Sequence, residues 1–193
     1  KLTSDGLSSA YIRRIMAGVS AIHRFSRYSD PTKDPDVKLE MMRMHRILGR
    51  HSQQAAGITI EDLKLMIGQT DDNLRGYRDR AILLVGYEGL LRRSELISLR
   101  AEDVVIDHET RLRIRLRRSK TDQCAKGRWL LFTPATSTAL KAWLDHSCIT
   151  EGFIFRGINR GGRINSALSK EQVNRIYKKL AAQAKIKVEV GSK

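Results

Sequence analysis

Residues Arg78–Leu96, with the sequence RDRAILLVGYEGLLRRSEL, are the most strongly patterned stretch of the chain. The run Ala81–Val85 is entirely apolar, which predicts a helix over Arg78–Leu91 that is buried on nearly every side. Such a helix belongs at the centre of a core. Arg92 comes at its end, and Glu95 follows at the i,i+3 spacing that brings two helical side chains into contact. On these residues alone, an ordinary surface ion pair is the favoured interpretation.

Further helices are predicted on the N-terminal side, each with recognisable capping residues. Ser8 is placed to cap a first helix, and a second runs from about Asp36 to Leu48 after two Asp-Pro breaks. Thr59 and Asp62 have a capping-box-like spacing at the start of a third helix. The first helix has apolar residues that recur at helical spacing, namely Ile12, Ile15, Met16, Val19 and Ile22.

The C-terminal part is also predicted to be mostly helical. Pro134 suits the first turn of one helix, and the apolar triplet Phe153–Phe155 is expected to be a short strand. Ser169 and Gln172 form a capping box for a last helix that runs to about Ala184. The polar side of that helix suits contacts with phosphates and base edges, or is simply solvated, and carries Lys170, Asn174, Arg175, Lys178 and Lys179.

Between these helices, the apolar period changes to two from Val104 to Phe132, which predicts a small antiparallel sheet. In the stretch Arg111–Arg117, apolar residues alternate with four arginines, so the arginines share one face. Four like charges in a row repel unless acids or phosphates lie opposite them. Two interpretations stay open: a solvated face balanced by acids such as Glu102, Asp107 or Glu109, or direct contact with DNA.

The predicted fold class is therefore mainly α with a small antiparallel β-sheet (α+β). We expect residues 1–48 to be the C-terminal part of a helical domain, residues 49–57 to be a linker, and residues 58–193 to form a larger mixed domain. Because the chain begins at Lys1 and two helices bury little on their own, part of the helical domain is expected to lie upstream.

The chain is strongly basic, with 36 Lys and Arg against 21 Asp and Glu and a net charge of +15. An excess of this size favours a polyanion, and nucleic acid in a salt-dependent manner. No apolar run is long enough to cross a bilayer and no signal peptide opens the chain, so we expect a cytoplasmic, DNA-associated protein without membrane contact. Cys124 and Cys148 fit neither a disulfide framework nor zinc spacing, which predicts reduced thiols and no metal.

Arg92, Glu95 and Lys120 have the chemistry that metal-free phosphodiester cleavage requires. The reaction needs a cationic clamp on the nonbridging oxygens, a nucleophile in line and an acid that protonates the departing 5′ oxygen. Arginine suits the clamp because its planar fork binds two oxygens and keeps its charge. Lysine suits the acid because its pKa is readily tuned. A solvated surface lysine is the plainer alternative for Lys120.

The order of these motifs resembles the tyrosine site-specific recombinases, also called phage integrases, and is similar to the branch that contains Cre recombinase. In that family, a segment like Gly89–Leu96 supplies the first catalytic arginine, here Arg92, and an acidic residue, here Glu95. A β-hairpin loop with a Lys-Thr step supplies the catalytic lysine, here Lys120. The resemblance implies a helical core-binding domain over residues 1–48 and a catalytic domain from residue 58 onward. It also implies a C-shaped clamp on duplex DNA, a 3′-phosphotyrosine intermediate, strand exchange without cofactor or metal, and tetramers on paired sites.

The chain also departs from the family pattern. A His-x-x-Arg box and the nucleophilic tyrosine should follow the last helix, and neither occurs before Lys193. His108–Arg111 has the right spacing but precedes Lys120 and belongs to the predicted hairpin. The five tyrosines all precede the expected position of the nucleophile. We therefore expect a truncated catalytic domain that binds DNA without cutting it.

The expected DNA contacts come from basic residues on several predicted elements: Arg13, Arg14, Arg43, Arg117, Arg118, Arg175 and Lys178. Two other functions remain open. One is a non-catalytic DNA-binding protein with the same fold and an architectural or regulatory role. The other is an RNA-binding protein, although the chain has only 2 Trp and 4 Phe and no aromatic row on a strand to stack bases.

Overall fold

The structure is a computed structural model that describes residues 6–50, 57–107, 111–118, 127–165 and 167–186. Contacts divide the chain into two compact units between Ala55 and Ala56. The helices and strands, in chain order, are α1 (Ser9–Phe25), α2 (Pro35–Leu48), α3 (Ile60–Ile67), α4 (Leu74–Glu88), α5 (Arg93–Leu96), β1 (Val104–Ile106), β2 (Leu112–Leu116), β3 (Arg128–Leu131), α6 (Pro134–Ser147) and α7 (Lys170–Gln183). The predicted fold class, mainly α with a small antiparallel sheet, is confirmed.

The N-terminal unit consists of α1, a 3₁₀ turn over Pro31–Lys33 and α2. The Ser8 hydroxyl accepts a hydrogen bond from the Tyr11 backbone N–H, as its capping role predicts. Of the apolar residues at helical spacing on α1, only Ile12 is fully buried, and Ile22 is 66% exposed. Two helices and a turn enclose too little volume to cover a whole apolar face, in keeping with the expectation that two helices bury little on their own.

The 3₁₀ turn is held to α1 through Asp30. Its Oδ2 accepts a hydrogen bond from the Ser20 hydroxyl at 2.6 Å, and its Oδ1 accepts from the Thr32 hydroxyl at 2.7 Å and the Thr32 N–H at 3.0 Å. These donors favour the charged carboxylate and lower the pKa of Asp30 from 3.8 to about 2. The carboxylate therefore links the two helices of this unit through the turn between them.

We expect Asp30→Asn to lower the thermal midpoint of the chain in a pH-dependent way. A carboxylate whose pKa is depressed in the fold contributes stability above its unfolded value, and loses that contribution as the pH falls through its folded value. The difference from the original chain should therefore be full above pH 3.8 and disappear as the pH falls to about 2. Circular dichroism melts across this range measure it. Asp36→Asn, at the start of α2, is the control, and the same pH dependence in both variants would contradict the assignment.

The core of the C-terminal unit lies around α4, which packs along α6 and also contacts α3, α5 and α7. Ala81, Ile82, Leu83 and Val85 are all 0% exposed, which confirms the predicted central helix. Its limits differ from the prediction, because α4 spans Leu74–Glu88. The Asn73 side chain caps the earlier start by accepting hydrogen bonds from two backbone N–H groups of the first turn.

The sheet has the order β1-β2-β3 with both pairs antiparallel. Leu112, Ile114 and Leu116 are buried on its inner face, as the alternation predicts. Two of the outer arginines, Arg117 and Arg113, contact side chains of the protein itself. Arg117 donates to Asp103 at 2.6 Å and lies 3.5 Å from Glu102, while the Arg113 guanidinium lies 5.1 Å from the centre of the Trp129 ring.

This pairing favours the solvated-face interpretation at Arg117, where hydrogen bonding to Asp103 raises the pKa further. Of the three acids expected to balance the row, Glu102 is confirmed. The Asp107 backbone N–H donates to the Arg111 carbonyl at 2.8 Å. Glu109 lies outside the described residues.

The prediction of a strand at Phe153–Phe155 is wrong. Only a single bridge forms, between Phe153 and Arg100, and the Ile154 N–H donates to the Leu99 carbonyl at 2.9 Å. The triplet is apolar because Ile154 and Phe155 are core residues at 0% exposure. Burial alone accounts for the pattern, without an extended ladder.

Candidate active site

Arg92 and Glu95 form a close ion pair at the start of α5. Arg92 Nη1 donates to Glu95 Oε1 at 2.9 Å, and the Arg92 backbone N–H donates to Glu95 Oε2 at 3.1 Å. The Glu95 side chain is 6% exposed, whereas that of Arg92 is 50% exposed. The predicted contact is confirmed. Arg92 is the N-cap residue of α5 rather than part of a helix shared with Glu95, so the carboxylate holds both the backbone and the side chain of the arginine.

The turn between α4 and α5 fixes the position of Arg92. Leu90 has a left-handed backbone with a φ of 48°, and the Leu91 N–H donates to the Gly86 carbonyl at 3.1 Å. A Cβ at Gly89 would lie 2.9 Å from the Val85 carbonyl oxygen, so a side chain at that position would displace the turn. After the turn, Leu96 and Leu99 are buried and anchor the following segment in the core.

Two residues distant in sequence brace the same turn. Arg128, the first residue of β3, donates to the Gly89 carbonyl at 3.2 Å. Glu88 accepts from the Thr133 N–H at 2.6 Å and the Thr133 hydroxyl at 3.2 Å. The sequence analysis predicted neither contact and identified Arg128 only as a strand residue. The partners are 39 and 45 positions apart in the chain, so no local pattern indicates them.

Lys120 lies outside the described residues. The strands that precede and follow it, β2 and β3, are paired up to Leu116 and Arg128. Because Arg128 contacts the turn that leads to Arg92, the base of this hairpin lies beside that turn. That Lys120 lies near Arg92, and that it acts as the catalytic acid, both stay predictions.

The remaining predicted DNA-contacting residues are distributed over the surfaces of the two units. Arg175 and Lys178 are exposed on α7, whose predicted Ser169–Gln172 capping box is confirmed. Arg118 is exposed directly after β2. In the N-terminal unit, Arg14 lies 5.5 Å from the centre of the Tyr11 ring and Arg43 pairs with Glu40 on the exposed surface. Arg13 donates to the Arg50 carbonyl at 3.4 Å.

Two of the tyrosines, Tyr177 and Tyr77, have contacts within the C-terminal unit, whereas Tyr11 and Tyr28 are 44% and 72% exposed. The Tyr177 hydroxyl packs toward the Ile82 carbonyl at 3.5 Å, and burial raises its pKa to about 12. Tyr77 stacks on His146 with ring centres 4.0 Å apart. A buried phenol with a raised pKa is a poor nucleophile at neutral pH.

Within the described residues, no group of His, Cys, Asp and Glu is arranged to hold a metal ion. No helix in that same part of the chain is sufficiently long and apolar to cross a bilayer.

Comparison with known proteins gives the family. The model of the phage integrase family matches residues 57–192. An integrase/recombinase xerD homolog of Selenomonas ruminantium is 32% identical over 95% of this chain and 56% of its own length. Tyrosine recombinase XerC of Chlamydia muridarum is 30% identical over 69% of this chain and 40% of its own length. Similarity to the Cre branch in particular stays a prediction.

A solved structure shows a similar fold. The crystal structure of XerA recombinase aligns with 97% of this chain and 65% of its own chain, with a TM-score of 0.53 and 16% identity. The chain thus spans about half the length of the curated relatives it matches. The extent of the family match and of the alignment to the xerD homolog leads to one conclusion: the chain belongs to the phage integrase family of tyrosine recombinases.

Proposed function

We propose that this chain is the phosphate-binding part of a site-specific DNA recombinase, in which Arg92 grips the scissile phosphodiester. The observation that carries the proposal is the half-exposed Arg92 guanidinium held by the buried Glu95 carboxylate. A guanidinium has five N–H donors, so a bond from Nη1 to Glu95 leaves the fork able to bind phosphate oxygens. Preorganised donors of this kind stabilise the charge that develops on the nonbridging oxygens during cleavage.

The other catalytic groups follow from family membership. Lys120 is proposed as the acid that protonates the departing 5′ oxygen, and a tyrosine as the nucleophile that forms a 3′-phosphotyrosine. We propose that these 193 residues bind duplex DNA without forming that intermediate. Support comes from Tyr177 on α7, because burial raises its pKa and makes its hydroxyl a poor nucleophile.

At the level of domains, we propose that residues 1–48 act as part of a core-binding domain and residues 58–193 as the catalytic domain, joined by residues 49–57. Both would contact duplex DNA, through Arg13, Arg14, Arg43, Arg118, Arg175 and Lys178, whereas the Arg117 side chain is bound by Asp103. Assembly into tetramers on paired sites, and a location in the cytoplasm on the nucleoid, complete the proposal. The net charge of +15 supports binding to a polyanion of this kind.

Glu95→Ala is expected to weaken duplex binding and to lower its salt dependence. Without the carboxylate, the Arg92 side chain loses its anchor and must be ordered when the phosphate binds. If one phosphate contact is lost, the slope of log K against log salt should fall by about 0.9. Fluorescence anisotropy with a labelled duplex at several salt concentrations measures both quantities. Arg92→Ala should give the same change in slope.

Glu95→Gln is the matched control because it keeps an acceptor oxygen for the Arg92 N–H and removes only the charge. Its duplex affinity and its salt slope should both lie between those of the original chain and those of Glu95→Ala. Unchanged affinity and slope in both Arg92→Ala and Glu95→Ala would contradict the proposed clamp.

Covalent chemistry is tested with a nicked duplex that traps a phosphotyrosine. We expect no protein–DNA adduct from the 193-residue chain, and an adduct would contradict the proposal that these residues bind without cutting.

A non-catalytic architectural role predicts duplex binding that Arg92→Ala weakens, with no adduct under any condition even in a longer natural form. An RNA-binding role predicts that single-stranded RNA displaces duplex DNA in competition.

A further inference from the structure

A cavity of about 310 Å³ lies between α7 and the segment that connects α3 to the first turns of α4. Four cationic side chains line it, namely Arg75, Arg78, Arg175 and Lys179, together with the carboxylates of Asp71 and Asp79. The backbones of Gly76 and Asp71 are in close contact at the α4 side of the cavity, since a Cβ at Gly76 would lie 1.8 Å from the Asp71 carbonyl oxygen. The sequence shows these residues as scattered charges, and only the fold gathers them in one place.

The buried charges of this cavity largely cancel each other. Arg78 and Asp79 are each 7% exposed, and Arg78 donates to Asp79 Oδ1 through Nε at 2.8 Å and Nη2 at 2.6 Å. Lys179 and Arg75 are close enough to lower the pKa of the Asp79 carboxyl, against the larger effect of burial, which raises it. With this pair neutralised, Arg75, Arg175 and Lys179 outnumber Asp71, so the cavity attracts an anion.

A basic hairpin contacts two of the residues that line the cavity. Its two sides pair at Ile158 and Ile164, and Arg160 and Arg163 are exposed near its tip. Arg75 donates to the Asn159 carbonyl of this hairpin, and Arg78 lies 3.4 Å from the Arg156 carbonyl just before it. Further positive charge therefore lies near the cavity, which suits an extended polyanion better than a single small ion.

The cavity and Arg92 belong to elements that contact each other. α7, which carries Arg175 and Lys179, packs against α5, and Arg92 is the N-cap residue of α5. The cavity does not include Arg92 in its lining, so the two form separate groups of cationic side chains in the same unit.

We infer that this cavity seats a second phosphate of the duplex backbone, separate from the phosphate at Arg92. Arg75, Arg175 and Lys179 bind its oxygens, and the Arg78–Asp79 pair holds the cavity open. The site fixes the register of α7 on the DNA and carries no base specificity of its own. This inference rests on the proposed function, because it requires the chain to bind duplex DNA.

The test compares two double variants that each remove two positive charges. Arg75→Gln with Lys179→Gln neutralises the cavity. Lys64→Gln with Lys141→Gln removes exposed lysines of α3 and α6 that do not line it. Duplex affinity is measured by anisotropy across a salt series, after circular dichroism has verified that both variants are folded. The cavity variant should lose about 0.9 more from the salt slope than the control variant, as expected for one phosphate contact.

A charge-preserving variant, Arg75→Lys with Lys179→Arg, should retain most of the affinity and slope of the original chain. Equal slopes for the cavity variant and the lysine control would overturn the inference while leaving the proposed function standing. A charge-preserving variant as weak as the neutralised one would overturn it too, because the effect would then come from altered packing. Failure of the original chain to bind duplex DNA would overturn the proposed function, and this inference with it.

Discussion

Asp79→Ala is expected to lower the free energy of unfolding by about 3–5 kcal/mol, as is typical when one partner of a buried ion pair is removed. Asp79 accepts two hydrogen bonds from Arg78, and both residues are 7% exposed. Among the described residues Arg78 has one further partner, the uncharged Arg156 carbonyl, at 3.4 Å. Removing the carboxylate therefore leaves a guanidinium with its charge uncompensated in a poorly solvated position.

Urea unfolding followed by circular dichroism measures this loss. Glu40→Ala is the matched control, because Glu40 forms a comparable pair with Arg43 on the surface, where the side chains are 66% and 61% exposed. Surface pairs contribute little, so this variant should stay close to the original chain. Replacing both buried partners, as Arg78→Met with Asp79→Leu, should cost much less than Asp79→Ala. Equal losses in the single and double variants would contradict the explanation.

The features that the sequence predicts well are local. The apolar run of α4, the capping residues Ser8 and Ser169, and the alternation of β2 each depend on residues a few positions apart, and the structure confirms each of them. The contact between Arg92 and Glu95 belongs to this class, since an i,i+3 spacing is sufficient to predict it. Its catalytic role stays a prediction.

The features that the sequence does not predict depend on distant partners or on backbone strain. The end of α4 at Glu88 rather than Leu91 follows from the left-handed Leu90, an unusual conformation for a leucine that is 85% exposed. That conformation is held by contacts of the neighbouring turn with Arg128 and Thr133. These partners become neighbours only after β3 and α6 have packed against α4.

Burial causes the other differences. Phe153–Phe155 is apolar because its residues enter the core, and a single bridge to Arg100 does not make a strand. The burial of the Arg78–Asp79 pair is likewise invisible in the sequence, where adjacent charges at the start of a helix are expected to be solvated. Only the packing of α7 and the nearby hairpin over α4 removes this pair from solvent.

Trp143→Ala is expected to destabilise the chain by about 3–5 kcal/mol, the usual cost of deleting a large aromatic side chain from a core. Trp143 lies on α6, is 0% exposed, and its indole N–H donates to the Ile154 carbonyl at 2.9 Å. The alanine variant leaves both a large void and a buried carbonyl without its donor. Trp143→Phe fills most of the void but not the hydrogen bond, so its loss should be intermediate.

The second tryptophan supplies the control for this variant. Trp129 is 52% exposed on the outer face of β3, where it packs under the Arg113 guanidinium. Its replacement by alanine removes the same side chain but only a partly solvated contact, so the expected loss is about 1 kcal/mol or less. Urea unfolding of the two alanine variants should therefore separate them clearly.

Because α6 packs along α4, which leads into the turn before Arg92, Trp143→Ala should also weaken duplex binding near its unfolding midpoint and leave it unchanged well below that midpoint. Weaker binding by fully folded Trp143→Ala would mean that this core contact positions Arg92 directly rather than through stability alone.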